Sequence, residues 1–277
     1  MNQLQDRIEW TRHANGVVEL QLARPDKMNA LDPAMFDALI DAGERLKVDT
    51  AARAVVIAGR GKAFCAGLDM ESFARMTDAG RSPGEALGQG AAGADLLVRT
   101  HGISNAAQQV AMVWREVPVP VIAAVHGVAF GGGLQVALGA DMRLVAPGTR
   151  MSVMEIKWGL VPDMGGMVLM RELLRADIVR ELTYSGRIVE AEEAVRIGLA
   201  TRLAQDPLAE ALQMAGEIAG KSPEAIRAGK RLLNAAAQLD AAALLLRESA
   251  EQKALIGSPN QVEAVRSNLE KRAPNYR

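Results

Sequence analysis

Residues 120–135 read PVIAAVHGVAFGGGLQ, and no other stretch restricts the fold of this chain as tightly. Val121–Val125 is a short apolar run, introduced by Pro118 and Pro120, and it reads as a strand. Gly131-Gly132-Gly133 then opens a helix. Small residues there let a ligand approach the backbone, and the helix start offers free N–H groups and a dipole that favours developing negative charge. A second segment is built alike: the β-branched run 54–58 reads as a buried strand and empties into the Gly-rich loop 59–68, GRGKAFCAGL. Taken singly, either glycine cluster is more often a packing device than a catalytic one. Their pairing is the informative feature.

The rest of the chain supplies elements around these two exits. Residues 6–12 and 17–22 form a hairpin about Asn15-Gly16, a pair suited to the positive φ angles of a tight turn. Asp32-Pro33 is an N-cap followed by proline at the first helical position, and the spacing of Met35, Leu39, Ala42 and Leu46 predicts a helix to about 47. Residues 72–100 are rich in Gly, Ala and charge, with weak periodicity, and read as a mobile segment or insertion; low complexity is confined to 79–94. A helix over 103–116, a strand at 142–145, and helices over 165–175, 177–185 and 190–197 follow. From 207 to 268 the chain reads as helical, with starts at Ser222-Pro223-Glu224, Asp240 and Ser258-Pro259. Strand–strand–helix units followed by a helical tail make an α/β protein with a core at 1–206 and a helical C-terminal region at 207–277.

Composition removes several function classes. Lys plus Arg is 32 against 33 for Asp plus Glu, a net charge of −1, so neither nucleic acid nor a membrane surface is expected as a partner. The one cysteine, Cys65, cannot form an internal disulfide and suits a reducing cytoplasm. The polar start MNQLQDRIEW lacks the apolar stretch of a signal peptide, and no run reaches the roughly 18 apolar residues of a membrane span. His13, His101 and His126 are scattered and no Cys/His cluster exists, so no metal site is expected.

Four motifs now stand in order: RPDKMNAL (24–31), AFCAGLD (63–69), PVIAAVHGVAFGGGLQVALGADMRL (120–144) and EIKWGLVPDMGG (155–166). Together they resemble the crotonase superfamily of enoyl-CoA hydratases and isomerases over roughly residues 8–240, with a motif pattern nearest the dienoyl-CoA isomerases. The resemblance implies a spiral of ββα units, a homotrimer or hexamer whose C-terminal helices serve assembly and cover the pocket, and acyl-CoA thioester substrates. Coenzyme A arrives as part of the substrate, so no separate cofactor is expected. It also implies that the Ala66 and Gly132 N–H groups form an oxyanion hole for the thioester oxygen, where fixed donors stabilise the enolate more than the ground state. Ala63, Phe64, Gly67 and Leu68 would line the substrate, and Arg24 and Lys27 would lie near the CoA phosphates or adenosine.

The acid–base residues follow from the same motifs. Family hydratases use two glutamates; one of the matching positions holds Gln135, which cannot act as a general base but can hold a water or orient a substrate. The other holds Glu155, expected to be desolvated by Met154, Ile156 and Trp158. Asp163, eight residues on, matches the second acid of the dienoyl-CoA isomerases; alternatively it N-caps the helix starting near Gly165. Cys65 reads as a packed small side chain, Asp69 as a tie for its loop and His126 as support for the strand end. Glu155, Asp163 and Gln135 are thus the candidate catalytic residues, and migration of a carbon–carbon double bond through a thioester enolate is the expected reaction. Hydration of a 2-enoyl-CoA is the alternative, and a noncatalytic thioester-binding protein is the alternative of another class.

Overall fold

The computed structural model describes residues 6–76 and 90–276. Its strands are β1 (Ile8–Arg12), β2 (Val17–Leu22), β3 (Ala54–Gly59), β4 (Val121–Val125), β5 (Val128–Phe130), β6 (Met142–Val145), β7 (Arg150–Ser152), β8 (Val189–Glu190) and β9 (Arg202–Leu203). One sheet runs β1-β2-β3-β4-β6-β9 and a smaller one β5-β7-β8. The β1–β2 hairpin is antiparallel about the expected Asn15-Gly16 turn, while β2 to β3, β3 to β4, β4 to β6 and β6 to β9 are parallel. The short strands β5, β7, β8 and β9 escape the sequence reading, since two or three residues carry no usable alternation.

Helices follow the caps. For α1 (Pro33–Val48), the Asp32 carboxylate accepts the Met35 N–H at 2.9 Å, as the Asp-Pro pair predicts. Next come α2 (Met70–Met76) and α3 (Ala106–Glu116); the latter starts later than the periodicity of 103–116 suggests, because Asn105 and Gln108 form a reciprocal capping box. The remaining helices are α4 (Gly132–Gly139), α5 (Gly166–Leu173), α6 (Ala176–Ser185), α7 (Ala191–Ile197), α8 (Pro207–Ala219), α9 (Pro223–Ala236), α10 (Ala241–Leu255) and α11 (Pro259–Leu269). Part of the expected 72–100 insertion, residues 77–89, lies outside the described residues.

The uninterrupted apolar strands are explained by burial on both faces. Val55, Ile57, Val121, Ala123 and Val125 join the main core with α1, α3 and α4. Their alternates Ala54, Val56, Ala58, Ile122 and Ala124 meet Ala211, Ala215 and Ala219, one stripe of α8. Residues 207–219 therefore share a core with the sheet. Lys230 on α9, buried, donates to the carbonyls of Trp114 (2.9 Å) and Val119 (3.0 Å) and to Asp141 (2.8 Å), which also accepts the Val121 N–H.

Because β3 and β4 are parallel neighbours, both Gly-rich exits leave the same end of the sheet. They stay paired beyond it: Phe64 N–H donates to His126 O (2.9 Å), Cys65 N–H to Val128 O (3.1 Å) and Phe130 N–H to Cys65 O (3.1 Å). The turn 24–31 is pulled onto them by Asn29, whose side chain bonds Arg60 O, Ala63 O and the Arg24 N–H at 2.8–2.9 Å.

Candidate active site

The two exits, the 155–158 turn and the 160–164 segment wall a cavity of about 650 Å³. Ala66, Gly67, Leu68, Gly132, Gln135, Glu155 and Asp163, distant in sequence, all line it. Its walls are otherwise mainly apolar, with Phe36, Phe73, Met154, Trp158 and Met164 prominent, and Phe73 stacks on Trp158 at 4.2 Å between ring centres. Phe36 and Phe73 lie outside the four motifs, and no sequence signal marked them as part of the site. No described residue after Met164 lines the cavity within one chain.

Hydrogen bonding corrects the expected oxyanion pair. The Ala66 N–H donates to Met28 O at 3.0 Å, so it is already committed within the protein. In the parallel bridge between Leu31 and Leu68, Leu31 N–H donates to Gly67 O and Asp69 N–H to Leu31 O. The intervening Leu68 N–H has no acceptor among the described residues and belongs to a cavity-lining residue. N–H directions alternate along extended chain, so Leu68 N–H points away from Leu31 where Asp69 N–H points towards it; Gly67, at positive φ, breaks the alternation that would have turned Leu68 N–H the same way as that of Ala66. Gly132, the first residue of α4, has an N–H with no partner inside its helix. The two loops touch here: Gly67 has φ +90°, and a β-carbon on it would stand 2.6 Å from Phe130 O and 3.7 Å from Gly132 N. Only glycine fits that approach.

The acid–base groups lie across from these donors. Glu155 begins a 3₁₀ turn (Glu155–Trp158) and is 9% exposed. Its Oε1 accepts from Gln135 Nε2 at 2.6 Å, while Oε2 has no partner among the described residues. Met154 and Trp158 wall the cavity as expected, but Ile156 is exposed and turned away, its methyl lying against Gly186. Burial pushes the Glu155 carboxyl up from its ordinary range, the nearby Asp163 charge adds to this, and its own backbone N–H and Gln135 hold it back. Asp163 is open to the cavity, yet the surrounding protein raises its carboxyl too.

Asp163 does not cap the following helix. The N-cap of α5 is Gly165, without a side-chain cap. The free N–H groups at this turn go to Gln135, whose Oε1 accepts from Met164 N (2.9 Å) and Gly166 N (2.8 Å). Gln135 is therefore bonded at both ends of its amide. The expected contact with a water or the substrate is thus limited to the second hydrogen of its NH₂ group.

The remaining expectations divide. Ala63 and Phe64 are fully buried and form part of the structural core instead of the cavity wall. Arg24 is not a freely solvated charge: its Nη1 bonds Ala30 O and Asp69, and its Nε lies 3.6 Å from Asp32. Lys27 is exposed. Asp69 ties its loop through Arg24 and the Glu71 N–H; burial raises its carboxyl, but these partners outweigh it and leave it below the ordinary range. Cys65 is buried with its thiol pushed up to about 12 by desolvation, so it is no nucleophile. His126 Nε2 lies 3.0 Å from Gly61 O at the strand exit. Among the described residues no group of three His, Cys, Asp or Glu could hold a metal, and no helix is long and apolar enough to cross a membrane.

Comparison with known proteins agrees with this geometry. The sequence profile for enoyl-CoA hydratase/isomerase matches residues 12–277. The chain is 31% identical to the mitochondrial Δ(3,5)-Δ(2,4)-dienoyl-CoA isomerase of Rattus norvegicus over 229 residues, covering 81% of this chain and 68% of that one. It is 28% identical to the mitochondrial methylglutaconyl-CoA hydratase of Mus musculus, covering 95% and 80%. The crystal structure of an enoyl-CoA hydratase from Mycobacterium smegmatis superposes with a TM-score of 0.81 at 30% identity, covering 97% and 98%. With matching fold, paired Gly-rich exits and an acid-lined cavity, this chain belongs to the enoyl-CoA hydratase/isomerase (crotonase) family.

Proposed function

We propose that this protein moves a carbon–carbon double bond within an enoyl- or dienoyl-CoA thioester through an enolate. The thioester oxygen would lie between the Leu68 and Gly132 N–H groups, whose charge-stabilising effect is strongest where negative charge develops. Glu155 and Asp163 divide the proton traffic: one carboxylate removes a proton to form the extended enolate, and the other carboxyl returns one elsewhere on the acyl chain. The observation that carries this reading is the commitment of Gln135. Its amide is bonded on both sides, so the carboxyls free to work in the cavity are Glu155, through Oε2, and Asp163. Hydration by a glutamate pair has no second glutamate here.

The apolar cavity suits a hydrocarbon acyl group. Lys27, exposed on the turn that also supplies Met28 O to the Ala66 N–H, is the cation of the early motif left to meet the CoA phosphates. The exposed apolar residues of the C-terminal helices, such as Leu233, Leu245 and Leu246, support assembly into a homotrimer or hexamer.

The test incubates the protein with 2-enoyl-, 3-enoyl- and 3,5-dienoyl-CoA separately in heavy water, with isomers separated before mass spectrometry. A shifted double bond without added water is expected, with deuterium marking the exchanged positions. A 3-hydroxyacyl product would make the protein a hydratase, and thioester binding with no turnover would leave only a binding role.

A further inference from the structure

A polar chain crosses the floor of the cavity, from Glu155 through Gln135 to the backbone of Met164 and Gly166. We infer that Gln135 is a positioning residue that decides which oxygen of Glu155 is free to exchange a proton and holds the Asp163 turn in register with it. This rests on the acid–base reading above and deepens it.

The direction of the amide is dictated by its partners. Met164 N–H and Gly166 N–H are donors, so the group facing them must be the amide oxygen. The amide NH₂ must then face Glu155, and it fixes Oε1 at 2.6 Å. Oε2, buried and without a partner among the described residues, is the oxygen left for chemistry. The same amide oxygen anchors the residues on either side of Gly165, directly after Asp163, so both carboxyls are referred to one side chain in the first turn of α4. Room for the bridge is reserved: a β-carbon at Gly166 would lie 2.7 Å from Gln135 Oε1.

This arrangement explains why an amide serves where a family hydratase has a carboxylate. A glutamate at 135 could accept both backbone N–H groups, but it would turn its second oxygen on Glu155, and the two carboxylates would have to share a proton. An amide accepts on one side and donates on the other at every working pH. The donated hydrogen bond favours the ionised form of Glu155 and opposes the upward push of burial.

The experiment compares the full-length protein with Gln135→Met, Gln135→Glu and Gly166→Ala. Titration of Glu155 is followed by isotope-edited infrared spectroscopy, its band identified by absence from Glu155→Gln. In Gln135→Met, Glu155 should titrate about one pH unit higher, because a hydrogen bond to a charged group is lost. The limb of kcat/KM that Glu155 sets, acidic if it starts as base and alkaline if it starts as acid, should move with it, and kcat should fall about ten- to a hundredfold with KM nearly unchanged. Gln135→Glu should move the limb further upward. An unmoved Glu155 titration in Gln135→Met, with both limbs of the pH profile superimposable on the parent's, would overturn the inference. Should Gln135→Met not fold, Gly166→Ala pushes on the amide from its other end, and the same upward or unmoved titration decides. The infrared titration needs no turnover, so failure to process any thioester would defeat the reaction reading while leaving this inference separately decidable.

Discussion

At the residue scale, two buried polar side chains carry opposite burdens. Asn29 is wholly buried, bonds three backbone groups and has φ +55°, a conformation few residues accept. Asn29→Ala strands those groups and should cost about 3–5 kcal/mol in urea unfolding. Glu155 instead lowers stability at neutral pH. Its folded pKa is raised, so the folded state holds the proton more tightly than the unfolded chain, and stability falls as pH rises through that window. Glu155→Gln should therefore unfold at a higher temperature than the parent at pH 8, with the gap closing towards pH 5, while kcat drops about 10³-fold. The rate itself should be bell-shaped. The carboxyl that starts as base fails as pH falls through its raised value, and the one that starts as acid fails as pH rises past its own. Asp163→Asn should erase one limb; a profile with both limbs intact would remove Asp163 from the chemistry.

At the element scale, one of the two proposed oxyanion donors, Gly132, is the start of a helix. Proline is tolerated at a first helical position and has no N–H, so Gly132→Pro deletes the donor while keeping a helix start. A β-carbon there meets the flexible ends of Met164 and Leu31, at 2.8 and 2.9 Å, and Gly132→Ala controls for that crowding. The proline variant should be slower than the alanine variant by about 10²–10³ in kcat, measured at saturating thioester. The latch of α9 belongs to this scale as well. Lys230→Met leaves Asp141 and two carbonyls without their cation and should cost about 3–5 kcal/mol in urea unfolding, with part of the loss recovered in the Lys230→Met/Asp141→Asn pair.

At the scale of the whole molecule, the C-terminal helices differ in what they do. Helix α8 closes the second face of the sheet, whereas α10 has no buried residue and exposes Leu245 and Leu246. Ending the chain at 206 should therefore give insoluble protein, because the strand face with Val56 and Ile122 is laid bare. Ending it at 238 should leave a folded core that no longer forms the proposed homotrimer or hexamer, seen as a smaller mass than the full chain's by light scattering on a sizing column.

The sequence by itself determined the elements that rest on local physics: the Asp32 cap, the Asn15-Gly16 turn, the two apolar strands with glycine exits, and through four ordered motifs the family. It also placed Glu155, Asp163 and Gln135 in one neighbourhood. It could not show which N–H is free towards the cavity, because every residue but proline carries the same N–H, and only the tertiary hydrogen bonds show that Ala66 N–H goes to Met28 O while Leu68 N–H is left without an acceptor among the described residues. Nor could it show Arg24 enclosed by Asp69 and Asp32, Phe64 turned into the core, or Gln135 holding Glu155 on one side and the start of α5 on the other. Residue type and spacing report what a side chain is able to do. Which partner it meets depends on chain segments tens of residues away, and only the tertiary structure brings those together.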